Sequence, residues 1–410
     1  MSEWKEYKLG DIAKIQTGPF GSQLHKSDYK STGIPCIMPC NITANLDICC
    51  SNIAYISEED ADRLCKHKTQ KGDIIYSRRG DIEKCAYISE KESGWVCGTG
   101  CLKVCINSEK ANSKFIAYQL STPLLKSWIV GNAVGTTMLN LNTSILSECP
   151  IPLPSFPTQQ KIASILSSLD DKIEVNRRIN EQLEELAQAL FKSWFVDFEP
   201  FKDGEFVESE LGMIPKGWTT ISLSKMADYL NGLAMQKFRP LQGEKGLPVL
   251  KIKELGQDSC NETSELCSPS LVNEKYIVND GDVIFSWSGT LLVKIWCGGV
   301  CGLNQHLFKV TSEKYPKWFI YLWTKYHLDR FIRIAKDKAV TMGHIKRGEL
   351  DTSFAIVPNE EKMKEIDGLM ASLIEQIIAN NIEIHHLTTL RDTLLPKLMS
   401  GEIDVNEVEL

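Results

Sequence analysis

Apolar residues alternate at spacings of four and three along two long stretches of the chain. The first stretch has its seam positions at Ile162, Leu166, Leu169, Ile173, Asn176, Asn180, Leu183, Ala187, Leu190 and Trp194. The second has them at Ile366, Met370, Leu373, Ile377, Asn380, Ile384, Leu387, Arg391, Leu394 and Leu398. Heptads sustained over about four repeats are typical of a coiled coil. At ~1.5 Å per residue, each predicted helix is on the order of 50 Å long.

Asparagine interrupts both seams at the same place. Asn176 and Asn180 lie in the first seam, and Asn380 lies in the second, 204 residues after Asn176. A buried asparagine in such a seam fixes register and partner at a cost in stability. We therefore expect the two helices to form an antiparallel, intramolecular coiled coil with pseudo-twofold symmetry. The alternative is that the asparagines face solvent where the seam loosens.

The remaining sequence predicts mixed α and β structure in two blocks. Strands are predicted at residues 34–38, 73–77 and 102–106, where β-like runs end at Gly, Pro or Asn. Helices are predicted at residues 114–120, 124–129, 317–323 and 328–335. Residues 199–217 contain several Gly and Pro residues and no periodicity, and are predicted to be a linker.

An internal repeat relates the two blocks. Trp4, Leu9, Ala13 and Gly18 recur 214 residues later as Trp218, Leu223, Ala227 and Gly232. Gly72-Asp73 returns as Gly281-Asp282, Lys103-Val104 as Lys309-Val310, and Pro154 as Pro358. Matches that keep their order while the offset drifts indicate a duplication. The predicted fold is α+β, with two related globular domains at 1–153 and 218–357, long helices at 154–198 and 358–410, and the linker at 199–217.

Composition places the chain among soluble globular proteins. It has 410 residues, of which 43% are hydrophobic and 24% charged, and this length favours two domains. No apolar run approaches the ~20 residues that a membrane span needs. The first residues contain no apolar segment typical of a signal peptide, so a cytoplasmic location is expected.

The net charge of −7 is unevenly distributed. Residues 1–150 carry 17 basic and 16 acidic side chains, and residues 214–357 carry 19 and 14. The helical stretches are acidic, with 6 basic and 12 acidic side chains in 151–213 and 4 and 11 in 358–410. Because net charge bears on partners rather than on fold, the alternation predicts two kinds of surface with different partners.

Catalytic signatures are missing from the sequence. It contains no G-x-x-x-x-G-K-[ST] phosphate loop, no G-x-S-x-G elbow, no H-E-x-x-H helix and no [ND]-P-P-[YFW] tetrapeptide. Two C-x₃-C pairs, Cys97/Cys101 and Cys297/Cys301, leave a zinc site open. They lie in apolar, strand-like sequence, which favours buried reduced thiols instead. We therefore expect neither catalysis nor a bound metal.

Candidate DNA-contacting residues lie in polar and basic loops. Arg78 and Arg79 follow a predicted strand, and arginine both recognises guanine edges and binds phosphate. Their counterparts in the second block are Trp287 and Ser288, so the two loops cannot make identical contacts. The basic stretch Arg330, Arg333, Lys336, Lys338, Lys346 and Arg347 is expected to contact phosphate. The candidate set is completed by Ser22, Lys26, Thr136, Thr137, Asn140, Lys237, Arg239, Thr341 and His344. Ordinary solvated turns are the alternative for each loop.

Several motifs in order resemble one known family along essentially the whole chain. They are Trp-x₄-Leu-Gly-Asp at 4–11, Thr-Gly-Pro-Phe-Gly-Ser at 17–22, Ile-Pro-Leu-Pro at 151–154, Gln-Gln-Lys-Ile at 159–162, Phe-Lys-Ser-Trp-Phe-Val-Asp-Phe at 191–198 and Gly-Met-Ile-Pro-Lys-Gly-Trp at 212–218. The sequence resembles the specificity subunit of type I restriction–modification systems. The second copy departs from the pattern at residues 361–366 and 395–398.

The resemblance implies two target recognition domains, each recognising one part of a split sequence in double-stranded DNA. The helices would set the gap and dock two methyltransferase subunits, to which two restriction (motor-nuclease) subunits add. S-adenosylmethionine, ATP and magnesium would then belong to those partners, with no cofactor bound by this chain. The departures leave the partner contacts of the second helix open. A coiled-coil adaptor without sequence-specific DNA binding is the alternative function.

Overall fold

The chain divides into two compact units, and each contains one globular region together with parts of both long helices. A computed structural model describes residues 4–135, 138–337 and 344–405. The first unit comprises Met1–Asp170 and Thr389–Leu410, and the second comprises Asp171–Thr388. This grouping differs from the predicted borders, which separate the helices from the globular regions. Within the described ranges, no helix has the length and apolar character required to cross a bilayer.

Within the residues that the structure describes, the globular part of the first unit contains ten short strands and five short α-helices. The strands are β1 Lys5–Lys8, β2 Ala13–Thr17, β3 Tyr29–Lys30, β4 Ile34–Ile37, β5 Ala54–Ile56, β6 Ile74–Ser77, β7 Cys85–Tyr87, β8 Val96–Cys97, β9 Cys101–Ile106 and β10 Pro150–Leu153. The helices are α1 Leu9–Ile12, α2 Glu58–Arg63, α3 Ser113–Leu120, α4 Pro123–Asn132 and α5 Thr143–Ser147. Thr122 caps α4 by accepting a hydrogen bond from the Leu125 amide, as expected for a helix start.

These strands form two four-stranded sheets and one strand pair. One sheet is antiparallel throughout, in the order β2-β9-β6-β7. The other has the order β3-β5-β4-β8, and its β4–β8 pair is parallel. Strand β1 pairs with β10, and this joins the start of the domain to its end. Strands β4, β6 and β9 confirm the three predicted strands to within one residue.

The second unit repeats this plan, with twelve strands and five short α-helices among its described residues. The strands are β11 Phe206–Ser209, β12 Gly212–Pro215, β13 Thr219–Ser222, β14 Asp228–Asn231, β15 Leu247–Leu250, β16 Leu266–Cys267, β17 Ile277–Val278, β18 Val283–Ser286, β19 Leu292–Ile295, β20 Cys301–Leu303, β21 Leu307–Thr311 and β22 Phe354–Val357. The helices are α7 Leu223–Met226, α8 Ile252–Gln257, α9 Lys317–Tyr326, α10 Leu328–Asp337 and α11 Gly348–Asp351.

The strand order confirms that the two domains are related. The sheet β14-β21-β18-β19 has the same order and pairing directions as β2-β9-β6-β7. The sheet β16-β15-β20-β17 again contains one parallel pair, β15–β20. Strand β13 pairs with β22, as β1 pairs with β10. The predicted α+β architecture with two related domains is therefore confirmed.

The interval predicted to be a linker contains a hairpin. Strands β11 and β12 pair antiparallel between residues 206 and 215, and Ile214 is buried in the core of the second unit. The lack of periodicity in the sequence of this interval did not reveal the hairpin. Four-residue strands joined by a short turn are too brief to produce a visible alternation among the surrounding glycines and prolines.

Two helices of 40 residues, α6 Phe156–Phe195 and α12 Glu360–Met399, carry the heptad seams. Inside each unit their segments pack antiparallel. In the first unit, Arg391 donates to Asp170 at 2.9 Å, while Ile162 and Leu398 share one core. In the second unit, Asn176 bonds to Glu383 while Asn180, one turn further along α6, bonds to the earlier residue Ile377 of α12. The predicted antiparallel pairing is thus present in both units.

The asparagines of the seams are buried, and each forms a hydrogen bond with the opposite helix. Asn176, Asn180 and Asn380 are 1%, 6% and 6% exposed. The Asn380 amide donates to the Asn180 side-chain oxygen at 2.8 Å, and the Asn180 amide donates to that of Asn381 at 2.8 Å. Asn176 donates to the carboxylate of Glu383 at 2.6 Å. The solvent-facing alternative is therefore wrong, while a role in fixing register stays a prediction.

The repeated Gly-Asp and Lys-Val pairs have a structural role. Gly72 and Gly281 adopt positive φ angles of 92° and 86° before β6 and β18, a conformation that favours glycine. In the first unit, Lys103 Nζ donates to the carbonyl of Lys68 at 2.7 Å and lies 3.8 Å from the Asp73 carboxylate. Since a lysine without partners is costly to bury, these contacts are required where the sheet covers its ammonium group.

The second unit contains the same arrangement. Lys309 Nζ donates to the carbonyl of Ile277 at 2.9 Å and lies 2.7 Å from the Asp282 carboxylate. The two lysines occupy equivalent positions on β9 and β21. These repeated residues therefore make structural contacts within each domain.

The aromatic end of α6 belongs to the core of the second unit. Phe195 is fully buried and packs edge-to-face on Phe319 and Trp323, with ring centroids 5.8 and 6.2 Å apart. The equivalent end of α12 contributes the aliphatic Leu398 and Met399 to the core of the first unit. The departure from the family motif near the end of the second helix therefore replaces aromatic by aliphatic packing.

We predict that Asn180 and Asn380 are energetically coupled. Asn180→Leu leaves the Asn380 amide buried without its acceptor and should lower the free energy of unfolding by about 1–3 kcal/mol. Adding Asn380→Leu should recover part of that loss, because both polar partners are then gone. The coupling is measured by a double-mutant cycle, in which denaturant titrations give the free energy of unfolding of wild type, both single variants and the double variant. Gln182→Leu on the exposed face of α6 is the matched control, expected within about 0.5 kcal/mol of wild type. Additive losses would contradict the coupling.

Candidate functional site

Loops from distant parts of the first unit meet at one end of the sheet β2-β9-β6-β7. Gly18, just after β2, donates its amide to the Cys101 carbonyl at 2.9 Å. Arg78, just after β6, donates its amide to the Gly100 carbonyl at 2.8 Å. The Leu141 amide in turn donates to the Arg78 carbonyl at 2.9 Å. Because these bonds involve main-chain atoms, they fix the loops whatever side chains the loops carry.

Arg78, Arg79 and Asn140 are brought together at this sheet end. Arg79 and Asn140 form an antiparallel β-bridge, and the Arg79 side chain is exposed. The Arg78 guanidinium lies 5.8 Å from the centre of the Phe20 ring. Arg78 Nε and Asn140 Oδ1 are buried and have no hydrogen-bond partner among the described residues. Such unpaired buried groups are rare in folded proteins, so they are candidates for pairing with a ligand.

The second unit has the same loop arrangement at the end of β14-β21-β18-β19. Gly232 donates its amide to the Leu307 carbonyl at 3.0 Å, and Trp287 donates its amide to the His306 carbonyl at 3.4 Å. The Ile345 amide donates to the Trp287 carbonyl at 3.1 Å, and Ser288 forms a β-bridge with His344. Each bond has its counterpart in the first unit. The predicted correspondence between the two loops therefore holds in space as well as in sequence.

Trp287 fills the position of Arg78 in a different way. Its indole N–H donates to the Asn231 side-chain oxygen at 2.9 Å. Its ring centre lies 6.0 Å from that of His306 and 5.7 Å from that of Phe308. Ser288 is 6% exposed. The second loop is thus an aromatic support whose own polar groups are largely engaged inside the domain.

The other candidate residues have varied surroundings. Ser22, Lys26, Lys237, Lys346 and Arg347 are exposed. Arg239 is exposed but lies 2.5 Å from the Glu265 carboxylate. A hydrogen bond from Lys251, together with the charges of Lys251 and Arg239, lowers the pKa of Glu265. Thr136, Thr137, Thr341 and Lys338 lie outside the described residues.

Arg330 was predicted to contact phosphate, but its guanidinium is engaged within the domain. It donates to the carbonyl and hydroxyl of Thr352 at 3.2 and 3.1 Å, and also to the Ser353 hydroxyl. These bonds tie α10 to the segment before β22. A basic residue on an amphipathic helix has the same sequence pattern whether it bonds within its own domain or contacts phosphate. The sequence therefore could not separate the two cases.

The cysteine pairs show no metal-binding geometry in the part of the chain that the structure describes, which contains no cluster of three or more His, Cys, Asp or Glu residues suited to an ion. Cys97, Cys101 and Cys301 are fully buried, and Cys297 is 8% exposed. Burial raises the pKa of the Cys297 thiol to about 12, so this thiol is protonated near neutral pH.

Comparison with known proteins identifies the family. The chain is 30% identical over 418 residues to the type I restriction enzyme MjaIX specificity subunit of Methanocaldococcus jannaschii, covering 99% of this chain and 95% of that protein. The chain belongs to the family of type I restriction enzyme specificity subunits. Residues 1–185 also match the family model described as a type I restriction modification DNA specificity domain.

Further comparisons agree with this family assignment. The chain is similar to the HindI specificity subunit of Haemophilus influenzae, with 25% identity over 473 residues that cover 98% of this chain and all of that protein. The crystal structure of a type I restriction–modification S subunit from M. genitalium covers 97% of this chain and 96% of its own, with a TM-score of 0.59 and 16% identity. That likeness supports the fold of a specificity subunit.

Sequence analysis missed three residues at these loop ends. Phe20 lies against Arg78, Asn231 accepts the Trp287 N–H, and His306 packs on Trp287. Phe20 lies two residues after the repeated Gly18, and Asn231 comes directly before Gly232, the counterpart of Gly18. For Phe20 and Asn231, proximity to a repeated glycine was therefore a signal in the sequence that could have identified them. His306 had none, because its contacts cross between strands.

We predict that Arg79 contacts DNA. Arg79→Ala should weaken duplex binding by the complex of this specificity subunit by ~1–3 kcal/mol, with relaxed preference at one position if the arginine contacts a base. A phosphate contact would instead weaken all sequences equally and reduce the salt dependence. Binding to a set of single-base variants at two salt concentrations separates these outcomes.

Lys71→Ala is the control for Arg79→Ala, because Lys71 is an exposed cation just before β6, at the opposite end of that strand. It should bind as wild type does. Unchanged affinity and salt dependence in Arg79→Ala would show that the loop is a solvated turn.

Proposed function

We propose that this chain determines the DNA target of a type I restriction–modification complex and performs no catalysis itself. Each globular domain recognises one half of a bipartite sequence in double-stranded DNA. The observation that carries the proposal is the matching pair of loop clusters, held by equivalent main-chain bonds but furnished with different side chains. One scaffold with two sets of side chains suits two different half-sites.

The charge distribution supports a division of labour between domains and helices. The two globular blocks are neutral to basic, whereas the two helical stretches are acidic. Contacts to phosphate dominate affinity for DNA and require cations. We propose that the domains bind DNA, while the helices set the distance between half-sites and dock two methyltransferase subunits. Two restriction subunits complete the assembly.

The cofactors are proposed to reside in those partners. S-adenosylmethionine would supply the methyl group in the methyltransferase subunits, and ATP with magnesium would act in the restriction subunits. The sequence of this chain has no phosphate loop and no methyltransferase tetrapeptide, and this supports the assignment. A cytoplasmic location follows from the proposed target, DNA.

Exchange of one recognition domain tests the proposal that each domain recognises one half of the target sequence. Residues 1–150 are replaced by the equivalent block of a relative with a different target, and methylated positions are mapped in host DNA. One half of the methylated sequence should change, and the other half should remain as in wild type. A change in both halves, or activity retained on the old sequence, would contradict the proposal. Absence of any DNA preference in the intact wild-type complex would favour the coiled-coil adaptor instead.

Lengthening both helices tests their role in spacing. One heptad inserted after Asn180 and one after Ile384 preserves the apolar seam and adds ~10 Å, about three base pairs of rise. Both half-sites should stay the same while the unread gap between them widens. Four-residue insertions at the same places break the phase of the seam and should abolish folding or assembly. A folded, active heptad variant with the original gap would show that the helices do not set the spacing.

A further inference from the structure

A tight turn between β20 and β21 holds two polar side chains beside the aromatic support of the second domain. The Asn304 side-chain oxygen accepts the His306 amide at 3.2 Å, and the Leu307 amide donates to the Asn304 carbonyl at 3.0 Å. Asn304 is itself 7% exposed. The two bonds fix the turn, and they leave Gln305 and His306, both half-buried, at its tip.

The neighbouring loop stiffens this turn. The Trp287 ring packs against His306, and the Trp287 amide donates to the His306 carbonyl. The Trp287 indole N–H is held by Asn231, and the Ser286 hydroxyl donates to the Thr290 carbonyl at 2.8 Å. The loop that corresponds to Arg78 and Arg79 therefore supports its neighbour while its own donors are engaged.

The two domains differ in where they place polar side chains that suit a base. In the first domain, Arg78 and Arg79 follow β6, and the turn before β9 has the small residues Thr99 and Gly100. In the second domain, the loop after β18 has no cation at the corresponding positions, and the turn before β21 carries an amide and an imidazole. The side chains that suit a base therefore lie in the loop after β6 in the first domain and in the turn before β21 in the second.

The polar atoms of this turn are incompletely paired. His306 Nδ1 is buried and has no hydrogen-bond partner in the described part of the chain. Gln305 Nε2 lies 3.3 Å from His306 Nε2. A buried ring nitrogen without a partner is unusual, and its counterparts in the first domain are Arg78 Nε and Asn140 Oδ1 at the equivalent sheet end. Both domains thus have unpaired polar atoms at the same place.

We propose that Gln305 and His306 recognise base edges in the half-site bound by the second domain. Glutamine forms two hydrogen bonds with the N6 and N7 atoms of adenine in the major groove, and imidazole can accept or donate a third bond. Trp287 positions both residues without contacting the base. This inference rests on the proposed function and adds the residues that give the second domain its preference.

Selection from a duplex library of random sequence tests the inference, with the intact methyltransferase complex as the binding protein. Gln305→Ala should relax preference at one or two positions of one half-site and weaken binding to the selected site roughly 5- to 150-fold. Gln305→Glu keeps the size of the side chain but loses the amide donor, so it should reject adenine and favour cytosine there. His306→Ala should relax the preference at a position in the same half-site.

Lys71→Ala, at the end of β6 opposite to the loop cluster, is the control and should select the wild-type sequence. Thermal unfolding of each variant confirms that the domain is folded. Unaltered selection by Gln305→Ala and His306→Ala, or equal weakening on all sequences, would overturn the base-recognition role. If wild type selects no bipartite sequence, the proposed function itself fails. A bipartite wild-type result with unaltered variants would overturn only the present inference.

Discussion

Burial of amide and charged groups between α6 and α12 is the constraint on which both units depend. In the second unit, Asn180 and Asn380 satisfy each other inside an apolar seam. A shift of one heptad would place each amide against aliphatic carbons, at about 1–3 kcal/mol for each unpaired group. In the first unit, Asp170 accepts bonds from both Tyr118 and Arg391, which joins α3 to the two long helices. Apolar contacts alone would tolerate several registers, and we predict that these polar pairs select one.

Each unit combines an invariant frame with variable loops. The frame consists of equivalent strand orders, positive-φ glycines before β6 and β18, and lysines on β9 and β21 that donate to main-chain carbonyls. The loops differ at the sheet end, where Arg78 in one domain corresponds to Trp287 in the other. Membership in the specificity-subunit family gives this contrast a meaning, because one frame can then present different surfaces to different DNA sequences.

Much of the architecture could be predicted because it repeats with a strong period. The heptad seams predicted both long helices, and the duplicated residues predicted that the two domains are equivalent. The hairpin of β11 and β12 was missed, since its strands are short and lie among glycines and prolines. The candidate loops were located by their position after β6 and β18. Their side-chain partners were not, because the contacts of Trp287 with Asn231 and His306 cross between strands that are far apart in sequence.

Besides lying near the carboxylates of Asp73 and Asp282, the ammonium groups of Lys103 and Lys309 each donate to a main-chain carbonyl. The accepting residues are Lys68 and Ile277. Every amino acid supplies a carbonyl, so this bond survives any replacement of the accepting residue that keeps the backbone in place. The two positions show the outcome, since one has a cationic side chain and the other an aliphatic one. Neutral drift can therefore change the side chain at the accepting position while the ammonium group keeps this hydrogen bond. The fold tolerates sequence divergence at a point where a side-chain acceptor would have forbidden it.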